Sequence, residues 1–162
     1  MPLLPGVRNL VLHLRAHDIP IAVATGSRRR NFELKTGHLS EVVDCFQGRV
    51  VCGDDIKYGM KGKPSPDIFL VAAREMLGRD VGVSEEPSGE EEKKERAKGL
   101  VLEDGLPGVQ AGKRAGMSGL YNEFVQCVFI YFKFHSGLGT RPESPQGWVQ
   151  WRGKSGPSSH NP

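Results

Sequence analysis

No stretch of the 162 residues approaches the ~18 consecutive apolar positions that a membrane-crossing helix needs, which excludes a helical span within them. Cysteine is scarce. Cys45, Cys52 and Cys127 are odd in number and share no metal-ligand spacing, so they read as ordinary thiols of a reducing compartment. Charge of one sign is also scarce: 22 Lys+Arg against 19 Asp+Glu leave only +3. That is too little for the concentrated basic field of a nucleic-acid binder, so neither nucleic acid nor membrane is expected as a partner. The opening MPLLPGVRNL has no basic region followed by an apolar one; no signal peptide is expected, and the default location is cytoplasmic. Glycine (21) and proline (11), in contrast, are plentiful and predict long irregular stretches. A hydrophobic content of 38% with 25% charged residues suits one globular domain and leaves no room for a second of full size.

Periodicity organises the first part of the chain. Val7, Leu10, Val11 and Leu14 fall at the spacing of one helix face. Asp18-Ile19-Pro20 ends that helix, and Ile21-Ala22-Val23-Ala24 follows as an unbroken apolar run, suited to a strand buried on both faces of a parallel sheet. A second helix is expected after Ser27 and a second strand at Arg49–Cys52. Ile68, Phe69, Ala72, Ala73 and Met76 then mark a third helical stripe. Residues 79–98 are a charged insertion: GEEEKKERAK has almost nothing apolar to bury and predicts a solvated segment or a loosely helical arm. The core pattern returns with Leu100-Val101-Leu102, a turn, and a helix opening near Pro107, where the missing N–H of proline is tolerated. Strand and helix alternating in this way imply a doubly wound α/β sheet with right-handed crossovers. Residues 1–117 form that core. Residues 118–162 lose the pattern, with room for a strand or two, and read as an atypical, disordered and aggregation-prone tail.

In such sheets ligands sit at the carboxyl ends of the strands. Three strand ends carry polar groups. Thr25-Gly26-Ser27 places two hydroxyls around a glycine before a helix, either a phosphate seat or simply a cap and tight turn. Arg28-Arg29-Arg30 behind it adds positive potential or is a solvated helix face. Gly62-Lys63-Pro64-Ser65-Pro66-Asp67 holds Lys63 on a stiffened backbone, so its ammonium is either aimed at an anion or is an ordinary surface group; the spacing is not that of a P-loop. Glu103-Asp104 offers hard oxygens at a strand end, fit for Mg²⁺ with water and substrate phosphate, or else a helix cap.

Taken together and in order, IAVATGS (21–27), GKPSPDIF (62–69) and LVLEDGLPGVQAGKRAGM (100–117) resemble the haloacid dehalogenase-like phosphatases, nearest the group of β-phosphoglucomutase and pseudouridine-5′-phosphatase. The resemblance implies a Rossmann-like, three-layer parallel sheet core and a Mg²⁺-dependent phosphatase of small sugar phosphates or nucleoside monophosphates. It implies Thr25 as the phosphate-binding hydroxyl, with Gly26 and Ser27 as further phosphate contacts. Lys63 would be the catalytic lysine that neutralises the transferring phosphoryl group, and Glu103 and Asp104 the metal ligands. Hydroxyl, lysine and cation would spread the charge of the equatorial oxygens. A small phosphorylated metabolite is the implied partner. Family members attack phosphate with the first aspartate of an Asp-x-Asp motif on a strand that precedes the cap domain. No Asp-x-Asp occurs here, since Asp54 and Asp55 are adjacent and follow a different strand. The expectation is therefore a partial core lacking nucleophile strand and cap, a truncated member inactive alone. The alternative is a non-catalytic fragment or a module that binds a partner. A response-regulator receiver uses similar groups, but its acidic pair precedes its hydroxyl, the reverse of the order here.

Overall fold

The computed structural model describes residues 6–121, 128–131 and 148–150. Helix α1 (Val7–Ala16) leads into strand β1 (Ile21–Thr25). Helices α2 (Arg29–Thr36) and α3 (Ser40–Val43) connect it to β2 (Val50–Cys52). Helix α4 (Asp67–Val71) continues as a π-helical turn over Ala72–Met76. Then come α5 (Glu90–Ala97), β3 (Gly99–Glu103), α6 (Leu106–Arg114) and β4 (Ser118–Tyr121). Two short strands complete the sheet, β5 (Val128–Tyr131) and β6 (Trp148–Gln150).

The six strands lie in the order β2-β1-β5-β3-β4-β6. β1 is parallel to β2, β3 to β4, and β4 to β6, whereas β5 runs antiparallel to both its neighbours, β1 and β3. The unbroken apolar runs explain the layers. Successive strand residues face opposite sides, so Ile21, Val23, Val50, Cys52 and Leu102 join α1 and α3 in one cluster. Ala22, Ala24, Val51 and Val101 join α4, its π turn and α6 in the other. The small Ala22 and Ala24 let Phe69 and Leu70 lie close on that side, where all four are essentially sealed from solvent.

Two expectations need amending. The charged stretch is not a loose arm. α5 is anchored by Arg96, which is 1% exposed and donates to the carbonyls of Val81 (2.8 Å), Ser84 (2.8 Å) and Glu85 (2.7 Å). One guanidinium can satisfy three carbonyls in a fixed fork, so a helix without an apolar stripe still buries a side chain. The last third of the chain supplies three strands, β4, β5 and β6, to the sheet. The remainder of the segment read as a tail lies outside the described residues.

Candidate functional site

The chain leaves β1 towards β2 on one side of the sheet and leaves β3 towards β4 on the other. The gap between β1 and β3 is thus the point where strand order reverses, and the carboxyl ends there form the crevice used by ligands of such sheets. Thr25 ends β1 and Glu103 ends β3, separated by two strand spacings, roughly 10 Å.

The Thr25-Gly26-Ser27 turn is held from below. Thr25 Oγ1 accepts the Ser27 N–H at 3.2 Å, and the Ser27 carbonyl accepts the Gly53 N–H at 3.0 Å. A Cβ on Gly53 would fall on the Gly26 carbonyl oxygen, so this approach requires glycine. Neither hydroxyl caps α2; that service comes from Asp54, whose Oδ1 accepts the Arg29 N–H at 2.8 Å. Asp55 accepts the Arg29 guanidinium (Nη2 to Oδ2, 2.9 Å) and the Cys52 N–H (2.9 Å). Burial works to raise the Asp55 carboxyl, but these donors win and hold it below the usual aspartate range. Of the three arginines, Arg29 is therefore a tie between α2 and β2 and does not face a ligand. Burial pushes the Cys52 thiol up to about 11, which leaves it a neutral core group.

Lys63 is the residue on which the site turns. Its ammonium donates to Glu103 Oε2 at 2.6 Å and sits 5.0 Å from the Phe69 ring centroid. Its side chain is only 12% exposed and that of Glu103 3%. This is no surface lysine. Its loop is clamped by Asp67, which accepts the Lys61 N–H (2.8 Å) and the Ser65 hydroxyl (2.6 Å). Glu103 also accepts the Gly105 N–H at 3.2 Å, and a Cβ on Gly108 of α6 would fall on its carboxyl group. Asp104 does not cap α6, whose N-cap is Gly105. Burial, and then the neighbouring Glu103, push the Asp104 carboxyl above the usual aspartate range. A cation beside Asp104 would relieve it. Among the described residues no group of three or more His, Cys, Asp or Glu is assembled for a metal. The donor set fits Mg²⁺ only as a sparse site, with one or two carboxylates and the remaining positions left to water or phosphate.

A cleft of about 300 Å³ opens between the Thr25 turn and the Lys63 loop, lined by Gly26, Gly53, Met60, Lys61, Gly62, Lys63 and Ile68. It joins two of the three strand-end motifs, and the Lys63–Glu103 pair joins the third. Lys61 escapes the sequence reading, and the contacts that Asp67, Gly53 and Gly108 make in the site are not legible in it. Gly53 and Gly108 had a signal only in being glycines beside a strand end and a helix start.

The Lys63–Glu103 pair joins residues 40 positions apart, and the cleft brings Gly26 beside Lys63. A family model for haloacid dehalogenase-like hydrolases matches residues 1–116. The chain belongs to that family. This haloacid dehalogenase-like chain is 41% identical over 113 residues to a bifunctional riboflavin kinase/FMN phosphatase of Arabidopsis thaliana, covering 70% of this chain and 24% of the relative. It is 42% identical over 115 residues to a probable pseudouridine-5′-phosphatase of Drosophila melanogaster, covering 71% and 43%. A haloacid dehalogenase hydrolase of family IA from Entamoeba histolytica superposes with a TM-score of 0.53 at 26% identity, over 72% of this chain and 44% of that one. The haloacid dehalogenase-like chain thus spans less than half the length of these relatives. The Rossmann-type α/β fold implied by its motifs is the fold observed. Among the described residues no helix is long and apolar enough to cross a membrane.

Proposed function

We propose that this chain carries the phosphate- and metal-handling half of a Mg²⁺-dependent phosphomonoesterase acting on a small sugar phosphate or nucleoside monophosphate. The carrying observation is the Lys63–Glu103 pair at 2.6 Å beside the Gly26 turn, a cation and a carboxylate nearly sealed from solvent at the strand-order reversal. Relatives named as FMN, glycerol-3-phosphate and pseudouridine-5′ phosphatases support a small phosphorylated metabolite as the substrate class. A phosphate seated against Gly26 and Ser27 would accept from the Thr25 hydroxyl and from the Lys63 ammonium, which holds negative charge in a site of low water content. Glu103 keeps that ammonium aimed. Glu103 and Asp104 would hold Mg²⁺, which when bound supplies charge neutralisation for phosphoryl oxygens. The 162 residues contain no Asp-x-Asp, so the chain by itself binds phosphate without turning a phosphomonoester over. Two buried free thiols, Cys45 and Cys52, support a reducing, cytoplasmic setting.

The test is titration of the chain with inorganic phosphate and Mg²⁺ by calorimetry, alongside hydrolysis of a chromogenic phosphomonoester. Saturable phosphate binding that falls at least tenfold in Lys63→Met, with hydrolysis at blank level, is the expected result. Binding unchanged in Lys63→Met would remove the proposal. Mg²⁺-dependent hydrolysis would overturn the inactivity of the isolated chain.

A further inference from the structure

Two of the five histidines share one exposed helix face. His13 lies in the last turn of α1 and His17 is its C-cap, so the two stand one turn apart. Their ring centroids are 4.1 Å from each other. The His17 ring is already aimed. Its Nδ1 lies 2.8 Å from the His13 carbonyl oxygen. A carbonyl only accepts, so Nδ1 carries the proton and Nε2 keeps a bare lone pair. Metal-ligating histidines are ordinarily oriented by such a bond, from the other ring nitrogen to a backbone carbonyl or carboxylate. The setting favours a cation. The last carbonyls of α1 place partial negative charge beside the pair. Arg15, the cation between them in sequence, is turned to Asp18 at 3.6 Å.

We infer that His13 and His17 form a two-ligand site for a divalent transition-metal ion, one nitrogen from each ring, with water in the remaining positions. Imidazole selects this class over Mg²⁺, which takes oxygen ligands, so the site differs in chemistry from Glu103 and Asp104. It differs in place as well. α1 feeds the amino end of β1, and Thr25 lies at the other end of that strand, about 13 Å away along it. Ring spacing narrows the class further. With metal–nitrogen bonds of about 2.0–2.1 Å, ring centroids stand about 4.5 Å apart at a right angle and about 5 Å apart at the tetrahedral angle. The observed 4.1 Å lies nearer the right angle, which suits tetragonal Cu²⁺ or Ni²⁺. Only the helical turn brings the rings together, so the ion binds the folded chain and clips the end of α1 to the loop entering β1. This inference does not depend on the chain's being a phosphatase.

Two measurements on the full chain test it, both with Ni²⁺, chosen over Cu²⁺ to spare the thiols from oxidation. In calorimetric titration at neutral pH, one Ni²⁺ per chain should bind in the strongest class of sites. Affinity should fall at least tenfold in His13→Ala and, separately, in His17→Asn, because a chelate needs both rings. His38→Ala, outside the pair, should bind as the unaltered chain does. Loss in only one of the pair, an equal loss in His38→Ala, or one Ni²⁺ shared by two chains would overturn the site. The second measurement needs no substitution. Paramagnetic Ni²⁺ added to the unaltered chain should broaden the ring proton signals of His13 and His17 in NMR spectra before those of the other three histidines. Broadening of all five together would overturn it.

Discussion

At the scale of single residues the site is built by contacts that substitutions can break one at a time. Gly53 touches the Gly26 carbonyl so closely that any Cβ must displace backbone, not a movable side chain. Gly53→Ala is expected to cost about 2 kcal/mol by overpacking and to weaken phosphate binding, read by urea denaturation and calorimetry. Parent-like values for both would show that the turn is not held by this approach. Asp104 makes an opposite prediction. Its folded-state pKa is raised, first by burial and then by Glu103, so the folded protein binds the proton more tightly than the unfolded one. Stability from this group is therefore present at low pH and is lost as pH rises from the ordinary aspartate range through the raised value. Without divalent cation, Asp104→Asn should flatten that decline and raise the thermal midpoint modestly at neutral pH. A midpoint lowered at pH 7 would contradict the sign.

At the scale of elements, α5 shows how a charged helix can be structural. Its i,i+3 pairs, Glu90–Lys93, Glu91–Lys94 and Glu95–Lys98, lie on or near the surface and contribute little apiece. Arg96 is different, since three carbonyls of the loop at residues 81–85 depend on it. Arg96→Met should cost about 3 kcal/mol by orphaning those carbonyls, whereas Lys93→Ala should stay within about 0.5 kcal/mol. Equal effects in chemical denaturation would return α5 to the solvated arm that its composition suggests. Residues at helical or strand spacing predicted α1, β1, β2, α4, β3 and α6 well, because apolar periodicity is a local property. For α5 a loosely helical arm is the expectation and a helix is found, but its anchoring was not legible, because the burial of one arginine depends on a loop more than ten residues away.

At the scale of the molecule, the same reasoning bears on metal binding. Two carboxylates, one already paired with Lys63, make a sparse site, so affinity for Mg²⁺ should be weak. For a dissociation constant of about 5 mM, 10 mM Mg²⁺ stabilises the fold by about 0.6 kcal/mol. That corresponds to roughly 1–3 °C in the thermal midpoint. A rise near 10 °C would demand micromolar affinity and a fuller ligand set than Glu103 and Asp104.

What the residues alone determined is the family, the doubly wound core and the three strand-end motifs, since chain order, hydrophobic period and short polar signatures are all local in sequence. Thr25, Gly26, Lys63, Glu103 and Asp104 were legible as candidate site residues. Their relation was not. Lys63 pairs with a carboxylate 40 positions away, Asp54 and Asp55 fasten α2 rather than serve a ligand, and β5 enters the centre of the sheet against its direction. Each of these is set by which backbone edges and buried charges must be satisfied once the layers close. That is a condition on three-dimensional neighbours, and only the tertiary structure imposes it.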